Sequence, residues 1–182
     1  TTSIGVTVTG KISPTGNIQM PDNTGIKLGA SDDFTLYHYT SDGTNRIESN
    51  TASTMLFQYW NGSAYEVMSK MIPDGAVELY HNGTKKLETT SSGAKTHGTL
   101  GVRGAEGAAA ILELVSDEGD DHADNWRMVA DTDHVLYIQN YAGGGWENNI
   151  RAHGNGAVEL SYDNVTTFQT ATNGAIFYGT EG

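Results

Sequence analysis

The chain contains no cysteine, which excludes disulfides and thiol catalysis. Basic residues are scarce: ten Lys and Arg stand against twenty-two Asp and Glu, a formal charge of −12. A chain this acidic is repelled by phosphate backbones, so nucleic acid is excluded as a partner. No apolar run approaches the ~20 residues that span a bilayer, and no signal peptide is visible, so membrane insertion is not expected. Proline is limited to three residues, whereas glycine reaches 23 of 182, well above the usual ~7 %. Thr, Ser, Asn and Asp separate short apolar runs, a composition suited to tight turns and short strands. Apolar and aromatic residues recur in regular patches, which is not the composition of a disordered chain.

What the chain does have is a repeat. Gly75-Ala76-Val77-Glu78-Leu79 returns 81 residues later as Gly156-Ala157-Val158-Glu159-Leu160. Without a gap, residues 55–99 match 136–180 at 13 of 45 positions. The opening Thr1-Thr2-Ser3-Ile4-Gly5 through Gly10 echoes Thr89-Thr90-Ser91-Ser92-Gly93 through Gly98. These matches predict the end of a preceding unit at 1–10, a first β module at 11–98, and a second at 99–182 with an acidic insertion. Self-similarity of this kind builds length or surface rather than a single catalytic pocket.

Alternation of period two dominates, which places Val77 and Leu79 on one face and Glu78 and Tyr80 on the other. Phe34–His38 and Val135–Gln139 read the same way. Asp42-Gly43, Asn61-Gly62, Asn82-Gly83, Asn155-Gly156 and Asn173-Gly174 mark turns where positive φ is cheap. The stretch Ala105–Leu114 holds good helix formers, but Ile111–Val115 fits a strand, and we assign it as one. Fold class is therefore all-β, built from tandem short-strand modules with no linker between them.

The text Gly75–Gly93, the opening Thr1–Gly10, Asp32–His38 and Ser116–Arg127 together resemble a repeat family found in tail-fibre-like structural proteins of bacteriophages, marine ones especially. That resemblance covers most of the chain and concerns architecture more than activity. It implies an elongated, intertwined trimeric β-fibre with a β-prism or β-helix-like shaft. It further implies a homotrimer located on the virion, outside the cell, joined to other virion or fibre components and supporting host attachment. No copy of the self-cleaving chaperone domain that ends many such fibres is recognisable. Three chains around an axis would also cover sheet faces and edges that a short module cannot cover alone.

Two features could carry chemistry. Residues 117–124 hold Asp117, Glu118, Asp120, Asp121 and Asp124, and hard cations such as calcium take several oxygens within a short reach. Their spacing does not follow the EF-hand loop, and a solvated acidic turn is the plainer reading. Trp60 and Tyr65, then Tyr141 and Trp146, flank two four-residue loops at corresponding places. Each pair is expected to clamp its hairpin, and each could instead offer a stacking platform to a host-surface glycan. Six histidines, at 38, 81, 97, 122, 134 and 153, form no zinc-protease pair, and no serine elbow is present. With twenty-two acids, chance pairs of carboxylates are inevitable, and the short modules leave little room for a glycosidase cleft. The function expected is non-enzymatic: a structural segment of a virion tail fibre or spike, with at most weak glycan contact. The alternatives are a monomeric carbohydrate-binding β-sandwich and a protein that decorates capsids or builds another extracellular filament.

Overall fold

In a computed structural model, which describes residues 8–179, the chain divides into two units, residues 1–99 and 100–182. Most of the predicted leading segment 1–10 lies outside the described residues. All sheets are antiparallel, and within each the strands follow one another in chain order. The first unit holds a three-stranded sheet of β1 (Gly25–Leu28), β2 (Phe34–Tyr39) and β3 (Thr44–Ser49). It also holds a five-stranded sheet of β4 (Met55–Trp60), β5 (Tyr65–Met71), β6 (Val77–His81), β7 (Thr84–Thr90) and β8 (Gly93–Thr96). The second unit is a single seven-stranded meander: β9 (Ala110–Val115), β10 (Asn125–Ala130), β11 (Val135–Asn140), β12 (Glu147–His153), β13 (Val158–Tyr162), β14 (Val165–Ala171) and β15 (Gly174–Phe177). None of the sheets closes on itself. The ambiguous stretch before Val115 resolves into a turn followed by β9.

The 81-residue repeat is a repeat of structure. Strands β6, β7 and β8 recur at that offset as β13, β14 and β15, residue for residue. The irregularities recur too. A bulge between Phe57 and Gln58 returns between Ile138 and Gln139, and one between Leu79 and Tyr80 returns between Leu160 and Ser161. Bulges re-aim side chains and raise local twist, so their duplication keeps both sheets curved alike.

Each position of the five-residue motif has a physical role in both copies. The amide of Gly75 donates to the Ile72 carbonyl, and that of Gly156 to His153, at 3.0 and 3.2 Å. A Cβ on Gly75 would meet Ile72 Cγ2 at 2.9 Å, and one on Gly156 would meet His153 Cβ at 3.2 Å. Ala76 and Ala157 accept backbone bonds from Ile72 and His153. The amides of Val77 and Val158 donate to Thr89 Oγ1 and Thr170 Oγ1, both at 2.9 Å. Asn155-Gly156 thus differs from the other predicted turns: neither residue has positive φ, and glycine is favoured there by the close approach of His153. Asn82-Gly83 does take positive φ at both residues, as does its counterpart Asp163-Asn164, which matches the two-residue turn that suits twisted hairpins.

Neither unit encloses a core. Val129 and Val135 are the buried apolar side chains among the described residues. The close backbone contacts between strands are those of ladder neighbours, and the few buried apolar side chains among the described residues leave no apolar interior enclosed between sheets. A row of apolar residues crosses the seven-stranded sheet through successive register partners. Leu112 faces Met128, Met128 faces Ile138, and Ile138 faces Ile150; the row continues through Leu160 and Phe168 to Phe177. In the first unit the same row reads Phe57, Ser69, Leu79, Leu87 and Thr96.

Candidate functional site

The most constrained polar cluster of the first unit centres on Glu78, the second residue of β6. Its residue is 6 % exposed, while Val77 and Leu79 on either side are 41 % and 45 % exposed. That is the reverse of a half-solvated sheet, where the apolar face is the covered one. The cause is local: Glu78 is roofed by long side chains of its own face. Lys85 Nζ pairs with Glu78 and reaches Glu88 at 2.6 Å; Tyr80 donates its hydroxyl to Glu78 at 2.6 Å, and Lys70 stands 4.0 Å away. His97 Nε2 lies 2.9 Å from Glu88. The hydrogen bonds from Lys85 and then Tyr80 hold the Glu78 carboxyl below the usual carboxylate range. Glu88 is lowered likewise by Lys85 and then His97, and the two acids push the Lys85 ammonium up. A carboxylate already bonded to cations and a hydroxyl is tied up structurally and is not poised as a general base.

The second unit rebuilds this cluster with other residues. Glu159 pairs with Arg151, and accepts from His153 at 3.2 Å and Thr166 at 3.4 Å. Arg151 stands where Lys70 does, and Thr166 and Gln169 replace Lys85 and Glu88. Tyr178 takes the place of His97 and donates to Gln169 at 2.6 Å. One cation and one anion disappear together, so formal charge balance is kept at both sites. The exchange leaves Arg151 Nε and Ser161 Oγ, the latter at the Tyr80 position, buried without a partner. This network was not among the expected functional residues. Its signal was available: the paired changes at 85 and 88 against 166 and 169 are visible once the repeat is aligned.

The aromatic pairs do face one another across their hairpins. Trp60 and Tyr65 sit edge to face with centroids 5.2 Å apart, and Tyr141 and Trp146 are tilted at 5.1 Å. Their surroundings differ. Trp60 and Tyr65 are 57 % and 66 % exposed. Tyr141 and Trp146 are half-buried, because His122 packs its edge against Tyr141 at 5.2 Å and the Arg127 guanidinium lies 3.9 Å over the Trp146 ring. A sugar ring needs an open aromatic face, so Trp60 and Tyr65 are the better placed of the four.

Of the five acidic candidates, Asp120, Asp121 and Asp124 have carboxylate oxygens within 4.8 Å of one another, while Asp117 and Glu118 stand outside this group. The loop comprises two 3-10 turns, Asp117–Gly119 and His122–Asp124. Asp124 is engaged on both oxygens, by the Ser116 hydroxyl at 3.2 Å and the Asp121 amide at 3.1 Å. It therefore ties the loop shut, a role that needs no cation. The acidic turn and the Tyr141–Trp146 hairpin, separated in the sequence by residues 125–140, adjoin one shallow hollow of about 280 Å³ lined by Asp121, His122, Asn125, Tyr141 and Trp146. No helix among the described residues is long and apolar enough to cross a membrane. No protein-family model, curated protein or solved structure matches the chain.

Proposed function

We propose that this chain is a non-enzymatic structural segment that assembles with identical copies into a trimeric fibre, of the kind that projects from a virion and supports host attachment. The observation that carries the reading is the missing core: two buried apolar side chains among the described residues, with the apolar rows of the sheets left exposed. Sheets of this length cannot keep an apolar face in water without covering it. A structural role also agrees with the duplication, which copies even the bulges and so favours a regular shaft over one specialised cleft. The repeat text, through its resemblance to phage tail-fibre repeats, suggests the trimer and the virion location.

The carbohydrate-binding β-sandwich reading requires two sheets packed on each other. A sandwich buries the inner faces of both sheets, whereas Val129 and Val135 are the buried apolar side chains among the described residues, which speaks against it. Glycan contact fits better as an accessory, made weakly at Trp60 and Tyr65 and multiplied by the number of copies. Light scattering with sedimentation velocity tests the proposal. A solution mass three times 19.4 kDa supports it, and a folded monomer at micromolar concentration rules it out.

A further inference from the structure

The apolar and polar faces of the seven-stranded sheet are differently equipped. On the polar face, Arg151, His153, Glu159 and Thr166 bond to one another, and Val129 and Val135, in register with Tyr137 and His153, are buried on that face. On the other face, the row from Leu112 to Phe177 has no such roof. Leu160 is 42 % exposed, and Phe177 is 78 % exposed. Beside this row runs a second, alanine-rich one: Ala110 faces Ala130, Ala130 faces Leu136, and Ala152 faces both Leu136 and Val158. Neither row contains a charged residue, in a chain of net charge −12.

We propose that this apolar face is where copies of the chain meet, each copy's row from Leu112 to Phe177 seating against the alanine-rich row of a neighbour. The inference rests on the fibre reading above and assigns it a surface. Three observations favour a second copy as the occupant. Identical chains of charge −12 repel, so they can approach closely only through a surface free of charge. Rows of large side chains beside alanine-rich rows are the relief that lets two sheets interdigitate ~10 Å apart. The third observation is area. The chain exposes 14046 Å², whereas two compact units of half its mass would together expose about 10,000 Å². This surplus of about 4,000 Å² includes the extended residues before β1, and one fifth of it would supply the ~800 Å² that each partner gives up in an ordinary interface.

The absence of cysteine makes the test direct. Leu160→Cys places one thiol on the apolar row, and Thr166→Cys places one on the opposite face. Both are treated with a bismaleimide of ~10 Å span, the sheet-to-sheet distance, alongside the wild-type mass measurement. We expect cross-linked chains at least 10-fold more abundant for Leu160→Cys than for Thr166→Cys. The doublet Thr166→Lys/Gln169→Glu, which installs the residues of the first unit on the polar face, should leave the mass unchanged. An oligomeric wild type that cross-links through Thr166→Cys instead, or through neither position, overturns this assignment and leaves the fibre reading standing. A monomeric wild type overturns both.

Discussion

Gly75→Ala and Gly156→Ala probe the most conspicuous residue of the repeat, and the structure ranks them. Neither glycine has positive φ, so alanine fits the backbone. Restricting the unfolded chain should then stabilise each variant by about 0.4–1 kcal/mol. Opposing this, the new methyl at 75 would meet Ile72 Cγ2 at 2.9 Å and Cβ at 3.1 Å, whereas at 156 it would meet His153 Cβ at 3.2 Å. Overpacking of this kind costs about 1–3 kcal/mol. The net expectation is a loss of about 1–2 kcal/mol for Gly75→Ala and about 0–1 kcal/mol for Gly156→Ala. At ~4–8 °C per kcal/mol for a unit of this size, the first should lower the melting temperature of its unit by roughly 4–16 °C, read by circular dichroism at fixed chain concentration. Ile72→Ala should rescue most of the Gly75→Ala loss, because the two residues are in contact and their effects couple. A rise in melting temperature for Gly75→Ala, or a larger cost at 156 than at 75, would refute the close-approach account.

Thr89→Val and Thr170→Val each remove the acceptor for one valine amide at 2.9 Å; each should cost about 0.5–1.5 kcal/mol and speed amide exchange at Val77 or Val158. Glu78 and Glu88 are held below their ordinary range by Lys85, so their contribution is full above the unfolded value of ~4.3 and is lost as pH falls through the lower folded values. The first unit should therefore weaken in melting scans below about pH 4, and Lys85→Thr/Glu88→Gln should flatten that dependence while Lys85→Thr alone destabilises at neutral pH. Trp146→Ala should cost more than Trp60→Ala in chemical denaturation by about 0.5–1 kcal/mol, since it also strips the cation contact of Arg127.

Much of the strand pattern was legible from the residues. Alternation located β6 and β13, and the 81-residue offset put their neighbours in matching places. Side-chain period and turn chemistry act over a few residues and need no tertiary partner. The Tyr141–Trp146 hairpin was legible too, but its packing against His122 and Arg127 was not, because those contacts come from separate strands and loops. The same holds for Asp124, whose place in an acidic run was legible and whose bonds to the Ser116 hydroxyl and the Asp121 amide were not.

The sequence by itself determined the all-β character, the duplication, and which residues share a face, since these follow from local geometry repeated along one chain. The tertiary structure alone decided that the ladder breaks after β3 yet runs unbroken from β9 to β15. It also decided where the bulges fall, and that Glu78 rather than Leu79 is the covered neighbour. An alternating strand specifies two faces without saying which one is roofed. That depends on how far side chains from adjacent strands reach across, and here the long polar ones cover their own face while the apolar row stays open.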